Sequence, residues 1–171
     1  MANPTMTLIA SNTVGSGGVS SVTFSSIPQT GYTDLKVVLS ARVDSTDGQV
    51  LLWFNNDTTA GNYRRIRLLG EGGSGASSSS ASDSKLLFVD DSSKTASTFG
   101  NTEIYVPNYL SSNQKSISVD SVIENNASYA IDGLFAGLWT NTSAITTVQL
   151  AAQTGNFVQY STFYLYGISN S

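Results

Sequence analysis

Short apolar or β-branched segments alternate with clusters of Gly, Ser, Asn and Asp along most of the chain. This spacing predicts an all-β fold of many short strands, a sandwich or a barrel. The predicted strands are 5–10, 19–24, 34–43, 49–54, 63–69, 85–89, 102–106, 115–124, 128–140, 145–151 and 161–168. Within several of them apolar positions recur with period two. Leu35, Val37, Leu39, Ala41 and Val43 share one face, opposite Lys36, Ser40 and Arg42, with Val38 the exception. Ile117, Val119 and Ile123 oppose Ser116, Ser118, Asp120 and Glu124. The alternation predicts antiparallel strands with one buried and one wet face.

Three segments are less simple. Leu35, Val38, Leu39, Arg42 and Val43 also fit helical spacing. Pro28 and Gly31 upstream, the Asp47-Gly48 turn signal downstream and the valines favour a strand. In 161–168, Phe163 and Leu165 face one way, and Tyr164, Tyr166 and Ile168 the other. A strand that is apolar on both faces is covered on both, by a second layer or by a neighbouring subunit. The stretch 70–84 consists only of Gly, Glu, Ala, Ser and Asp. With nothing large to bury, it predicts a flexible loop between strands of different sheets, or one that orders against a partner. No internal repeat or boundary interrupts the pattern. It predicts one domain over 19–171, preceded by an N-terminal arm, 1–18.

Composition narrows the chemistry. The 171 residues include 28 Ser, 18 Thr, 13 Asn and 15 Gly, no Cys and no His, and the net charge is −4. Without Cys there is no disulfide, no thiolate metal site and no cysteine nucleophile. Without His a Ser-His-Asp triad is impossible and a zinc hydrolase is not expected. The acidic balance argues against nucleic acid as a partner. The first ten residues lack the basic and apolar regions of a signal peptide, and no run approaches the ~20 apolar residues that span a bilayer.

The candidate sites have plain structural alternatives. Asn55-Asn56-Asp57 could offer oxygens to calcium, but Asn and Asp also make turns by bonding their own backbone; Asp90-Asp91 reads the same way. No metal or other cofactor is expected. Glu103, Asp120, Glu124 and Asp132 could supply a glycosidase pair, yet nothing singles out an acid and a nucleophile, and no enzyme is expected. Trp139, Tyr160, Tyr164 and Tyr166 could form a sugar platform or pack in the core. Arg64, Arg65 and Arg67 form the basic cluster and, with Arg42, make up four of the eight basic residues. They read as a solvated edge strand or as an interface, since Arg forks onto carboxylates. As an interface, Arg65→Glu or Arg67→Glu should weaken binding and leave the fold intact.

Four stretches carry a resemblance: Ile27-Pro-Gln-Thr-Gly-Tyr-Thr-Asp-Leu-Lys-Val-Val-Leu-Ser-Ala-Arg42; Leu52-Trp-Phe-Asn-Asn-Asp57 with Asn62-Tyr-Arg64; Gly137-Leu-Trp-Thr-Asn-Thr-Ser-Ala-Ile-Thr146; and Ser161-Thr-Phe-Tyr-Leu-Tyr-Gly-Ile168. In this order, across roughly 25–169, the chain resembles small virion structural proteins of tailed bacteriophages. The resemblance implies a jelly-roll-like β-sandwich acting in the virion as a capsid decoration or cement protein, with tail-fibre and spike components as the neighbouring possibility. A carbohydrate-binding module is a further alternative. It implies the major capsid protein and copies of the chain itself, as a trimer, for partners. It brings no catalytic residues, does not cover 1–18, and leaves 70–84 as this chain's own feature.

Overall fold

Twelve strands account for the alternating segments, and their register places the apolar sets together. The computed structural model describes residues 5–72, 74–126 and 128–169. The first four positions of the expected arm, one residue of the Gly/Ser stretch and the last two positions of the chain lie outside that description. The strands are β1 (Met6–Thr13), β2 (Ser21–Phe24), β3 (Asp34–Ala41), β4 (Gln49–Phe54), β5 (Tyr63–Glu71), β6 (Ser74–Ala81), β7 (Lys85–Phe88), β8 (Gly100–Val106), β9 (Lys115–Asn125), β10 (Tyr129–Trp139), β11 (Val148–Ala152) and β12 (Thr162–Ile168). They form two antiparallel sheets, a β-sandwich. The large sheet runs β1-β12-β3-β8-β9-β10-β5-β6 and the small one β2-β11-β4-β7.

The core lies between them. From the large sheet come Leu35, Val37, Leu39 and Ala41 on β3, Phe163 and Leu165 on β12, and Ile117 and Val119 on β9, all at most 3 % exposed. From the small sheet come Val50, Leu52 and Phe54 on β4 and Val148 and Leu150 on β11. The period-two sets predicted for 34–43 and 115–124 are these inward rows. On β9 the inward row also holds Ser121, whose position is neutralised by Thr102 donating to its Oγ at 3.0 Å.

Two expectations are corrected. The segment 70–84 is not a flexible linker. Residues 74–81 form β6, which pairs antiparallel with β5, Arg65 opposite Ala81 and Leu69 opposite Ser77. Backbone hydrogen bonding suffices to make it a strand, and with Ser and Ala side chains it produces no apolar period to read. Only its last part, after Ala81, crosses to the small sheet. Nor is the N-terminal segment a free arm: β1 pairs with β12 over Met6↔Ile168 to Thr13↔Thr162 and forms the other edge of the large sheet. Ile9 and Ala10 pack against the core from there.

Four strands cannot cover eight. The small sheet covers the middle of the large one, and the margin at β5 and β6 overhangs it. Ser77, Ser78, Ser79 and Ser80 are exposed on both faces of β6. Among the described residues, none forms a second layer on the opposite, outward face of the large sheet.

Candidate interaction surface

The outward face is built by every second residue of eight strands. Next to the β6 edge it is apolar. Leu134 on β10 stands opposite Leu68 on β5, and Ala136 opposite Ile66. Ile66 is 57 %, Leu68 49 % and Leu134 46 % exposed. Two grooves cross the strands there. One, of about 280 Å³, lies between the Ile66–Ala136–Ser118 row and the Leu68–Leu134 row. The other, of about 550 Å³, lies between the Ile66–Ala136 row and the Arg64–Leu138 row. Both are floored by backbone, because the intervening residues, such as Phe135 and Val119, turn their side chains into the core.

Further across, the face is acidic. Glu103 on β8 stands opposite Asp120 on β9, and Asp132 on β10 lies one row along. Burial and then the Asp132 and Glu103 carboxylates hold the Asp120 carboxyl above its usual range. Lys36 offsets part of this charge with a 2.7 Å ion pair to Glu103. Three of the four carboxylates singled out in the sequence therefore meet on one open face. The fourth, Glu124, lies two rows further along the same side of β9, where it accepts from the Thr95 backbone N–H at 2.5 Å and the Thr95 hydroxyl at 3.0 Å. Beyond the acidic band, Tyr105 on β8 and Tyr164 and Tyr166 on β12 are partly exposed on the same face. Among the described residues, no layer covers that side of β12.

The four arginines do not form one patch. Arg64 points outward and is exposed. Arg65 and Arg67 point inward at the margin the small sheet leaves uncovered. The Arg65 side chain is 9 % exposed, with Nε 2.5 Å from Asp83 Oδ1, and its second contact to Asp83 is 3.2 Å. Arg67 lies over the Phe88 ring, 5.7 Å from its centroid, and donates to Ser79 Oγ at 2.8 Å. Arg42 clamps the loop after β7, donating to the carbonyls of Lys94, Thr95 and Thr98. Arg65, Arg67 and Arg42 are thus held against other elements of the fold, whereas Arg64 is exposed on the face and donates only to the nearby carbonyls of Gly61 and Tyr63.

The Asn55–Asp57 turn is a structural corner. Asn55 and Asn56 adopt φ of 52° and 58°, a conformation Asn tolerates better than most residues. The Asn55 side chain bridges to Ala144 O, at 2.8 Å, and to the Thr146 N–H, also at 2.8 Å. The Asp57 carboxylate accepts from Trp139 Nε1 and Asn62 Nδ2, both at 2.9 Å, and from the Thr59 N–H at 3.1 Å. Its oxygens are occupied by protein donors, and no group of three or more carboxylates suited to a metal occurs among the described residues. Of the two readings of Trp139, sugar platform or core, the structure shows the core: it is fully buried. Tyr160, 69 % exposed, stands apart from Tyr164 and Tyr166 in the loop before β12.

The Asp57 corner makes a pH prediction. Burial raises the carboxyl pKa, but the hydrogen bonds from Trp139, Asn62 and Thr59 outweigh it, and the net displacement is downward from 3.8. The unfolded chain therefore binds the proton more readily than the folded one. The stabilisation is complete above about pH 4 and is lost as pH falls through the lower folded value. Asp57→Asn should flatten the acid limb of a melting-temperature profile below about pH 4. An unchanged acid limb would mean that other carboxylates control it.

Compared with known proteins, the sequence matches no family model and no curated protein.

Proposed function

We propose that this chain is a non-enzymatic structural protein of a tailed-bacteriophage virion, a capsid decoration protein that binds and stabilises the head shell. The observation that carries the reading is the order of strands. The four-strand sets β1-β12-β3-β8 and β2-β11-β4-β7 interleave strands from the two ends of the chain. That is the winding expected of a jelly roll, a fold used by viral capsid and lectin domains. The hairpins β5–β6 and β9–β10 are then insertions that widen one sheet from four strands to eight. A wide sheet with an open outer face suits a module that functions by being bound. The resemblance across 25–169 supplies the phage context, and many copies on a shell would multiply weak contacts into avidity.

A specific feature favours one alternative, carbohydrate binding. A cleft of about 580 Å³ at the ends of β8, β9 and β10 is lined by Tyr129 and Phe99 with Asn101, Asp90 and Glu124. Aromatic residues beside polar acceptors are the chemistry of sugar recognition. Such a site would fit a tail fibre or spike better than a cement protein.

Co-sedimentation of the purified chain with undecorated phage heads separates the readings. The decoration reading expects many copies per particle and heads that better resist heat or low salt. Heads left bare, with retention of the chain on host cells or immobilised glycans, would move it to the tail or to sugar binding.

A further inference from the structure

We infer that the apolar end of the outward face is a self-association surface, on which a second copy of this chain docks face to face about a two-fold axis. The first ground is concentration. Of the large hydrophobic side chains exposed among the described residues, Ile66, Leu68 and Leu134 stand together on two neighbouring strands. Clustered exposed apolar groups of this kind mark an interaction site, whereas single ones do not.

The second ground is the distribution of charge, which selects the occupant. Successive outward rows along β5 begin with Arg64, then Ile66, then Leu68, then Gly70. On β10 their partners are Leu138, Ala136, Leu134 and Asp132. The two middle rows on β5 and β10 carry no charge. The cation lies at one end of the stripe and Asp132 at the other, while Asp120 and Glu103 continue the Leu68–Leu134 row onto β9 and β8, where the same exchange sets Asp120 against Ser118 and Glu103 against Tyr105 of the other copy. Residues 64 and 70 are three positions either side of 67, whose row floors the groove between the Ile66 and Leu68 rows. A two-fold axis across the strands above that groove exchanges the ends. Ile66 of each copy then meets the Leu68 row of the other, and Arg64 of each copy meets the other's Asp132, one strand to the side. Every charge pair forms twice and none opposes its like. That is what an isologous interface requires. An axis along the strands would instead leave both Arg64 side chains at one end and both Asp132 side chains at the other, with no opposite charges paired.

The contact predicts a dimer rather than the trimer expected from the resemblance. Strands β6, β5, β10 and β9, spaced ~4.8 Å apart over about six residues, span roughly 400 Å² in projection. Counted on both copies that is roughly 800 Å², the size of a weak, transient contact, so association should depend on concentration in the micromolar range or above. The inference does not rest on the virion reading, because it concerns the isolated chain.

The test is the mass of the full chain in solution by sedimentation velocity across a concentration series. Exchange between 18.0 kDa and twice that mass is expected. Leu134→Lys, on an exposed position, should leave the far-ultraviolet spectrum and melting unchanged and raise the dissociation constant at least about tenfold. Arg64→Asp should weaken the dimer by a similar factor, and adding Asp132→Arg should restore it, because the pairs re-form with charges exchanged. A monomer at every concentration, a trimer, a dimer indifferent to Leu134→Lys, or a double reversal that fails to rescue would each overturn the inference. A bare head in the co-sedimentation assay would leave it standing.

Discussion

Trp139→Ala is expected to lower the unfolding free energy by about 3–5 kcal/mol, the cost of removing a fully buried aromatic side chain. Trp139 is 0 % exposed and ends β10 opposite Tyr63 on β5 and Lys115 on β9. Its ring lies 5.4 Å from that of Phe54, tilted by 59°, and so joins the large sheet to the small one. Its indole N–H donates to Asp57 Oδ2 at 2.9 Å. The alanine leaves a cavity that a packed β-sandwich cannot close and removes one of the three donors holding the 55–62 corner. For a chain of this size the loss should appear as a fall of roughly 6–20 °C in melting temperature. Trp139→Phe keeps most of the ring and should cost about 1–2 kcal/mol less. Chemical denaturation of both variants decides the matter. A loss under about 1 kcal/mol for the alanine would show that the corner and the core relax around the site.

The second large effect concerns Arg65. Arg65→Glu is expected to destabilise the fold by about 3–5 kcal/mol, whereas Arg64→Glu, one position away, should change stability by less than about 0.5 kcal/mol. The difference follows from the face each occupies. Arg65 lies at the uncovered margin with its fork on Asp83, and that contact draws the Asp83 carboxyl below its ordinary range against the effect of burial. Glutamate there would place two carboxylates together in a poorly solvated site. The double exchange Arg65→Glu with Asp83→Arg should recover part of the loss. Arg67→Glu, which forfeits the contact over Phe88 and the bond to Ser79, should cost about 1 kcal/mol. Equal effects at 64 and 65 would contradict the placement. The contact with Asp83 thus predicts the opposite of the sequence-based expectation that Arg65→Glu spares the fold, and binding assays on the arginines are best made at Arg64.

Much of the architecture was legible in one dimension because a strand's side chains alternate strictly. Leu35 to Val43 and Ile117 to Ile123 declared both their secondary structure and their buried side, since burying the wrong set would cost several large apolar groups at once. The absence of Cys and His settled which nucleophiles, bases and metal ligands the chain lacks without any coordinates. β6 was illegible for the same physical reason reversed. Its Ser, Gly and Ala side chains have no preferred side, so only the ladder offered by β5 makes it a strand.

Tertiary structure alone decided what the charged residues do. Period two correctly set Arg65 and Arg67 opposite Arg64. It could not say that the small sheet stops short of β5, and that shortfall is what lets two cations point inward to Asp83 and Phe88. Nor could spacing gather Glu103, Asp120 and Asp132, which lie on three consecutive strands and fall within neighbouring rows only through the register of the two strand pairs. Register is a long-range property, fixed by the packing of whole faces. The sequence by itself determined that this chain is a β-sheet protein and which residues fill its core. Only the assembled sheet, with eight strands over four, decided that one broad face is left open, apolar at one end and acidic beside it.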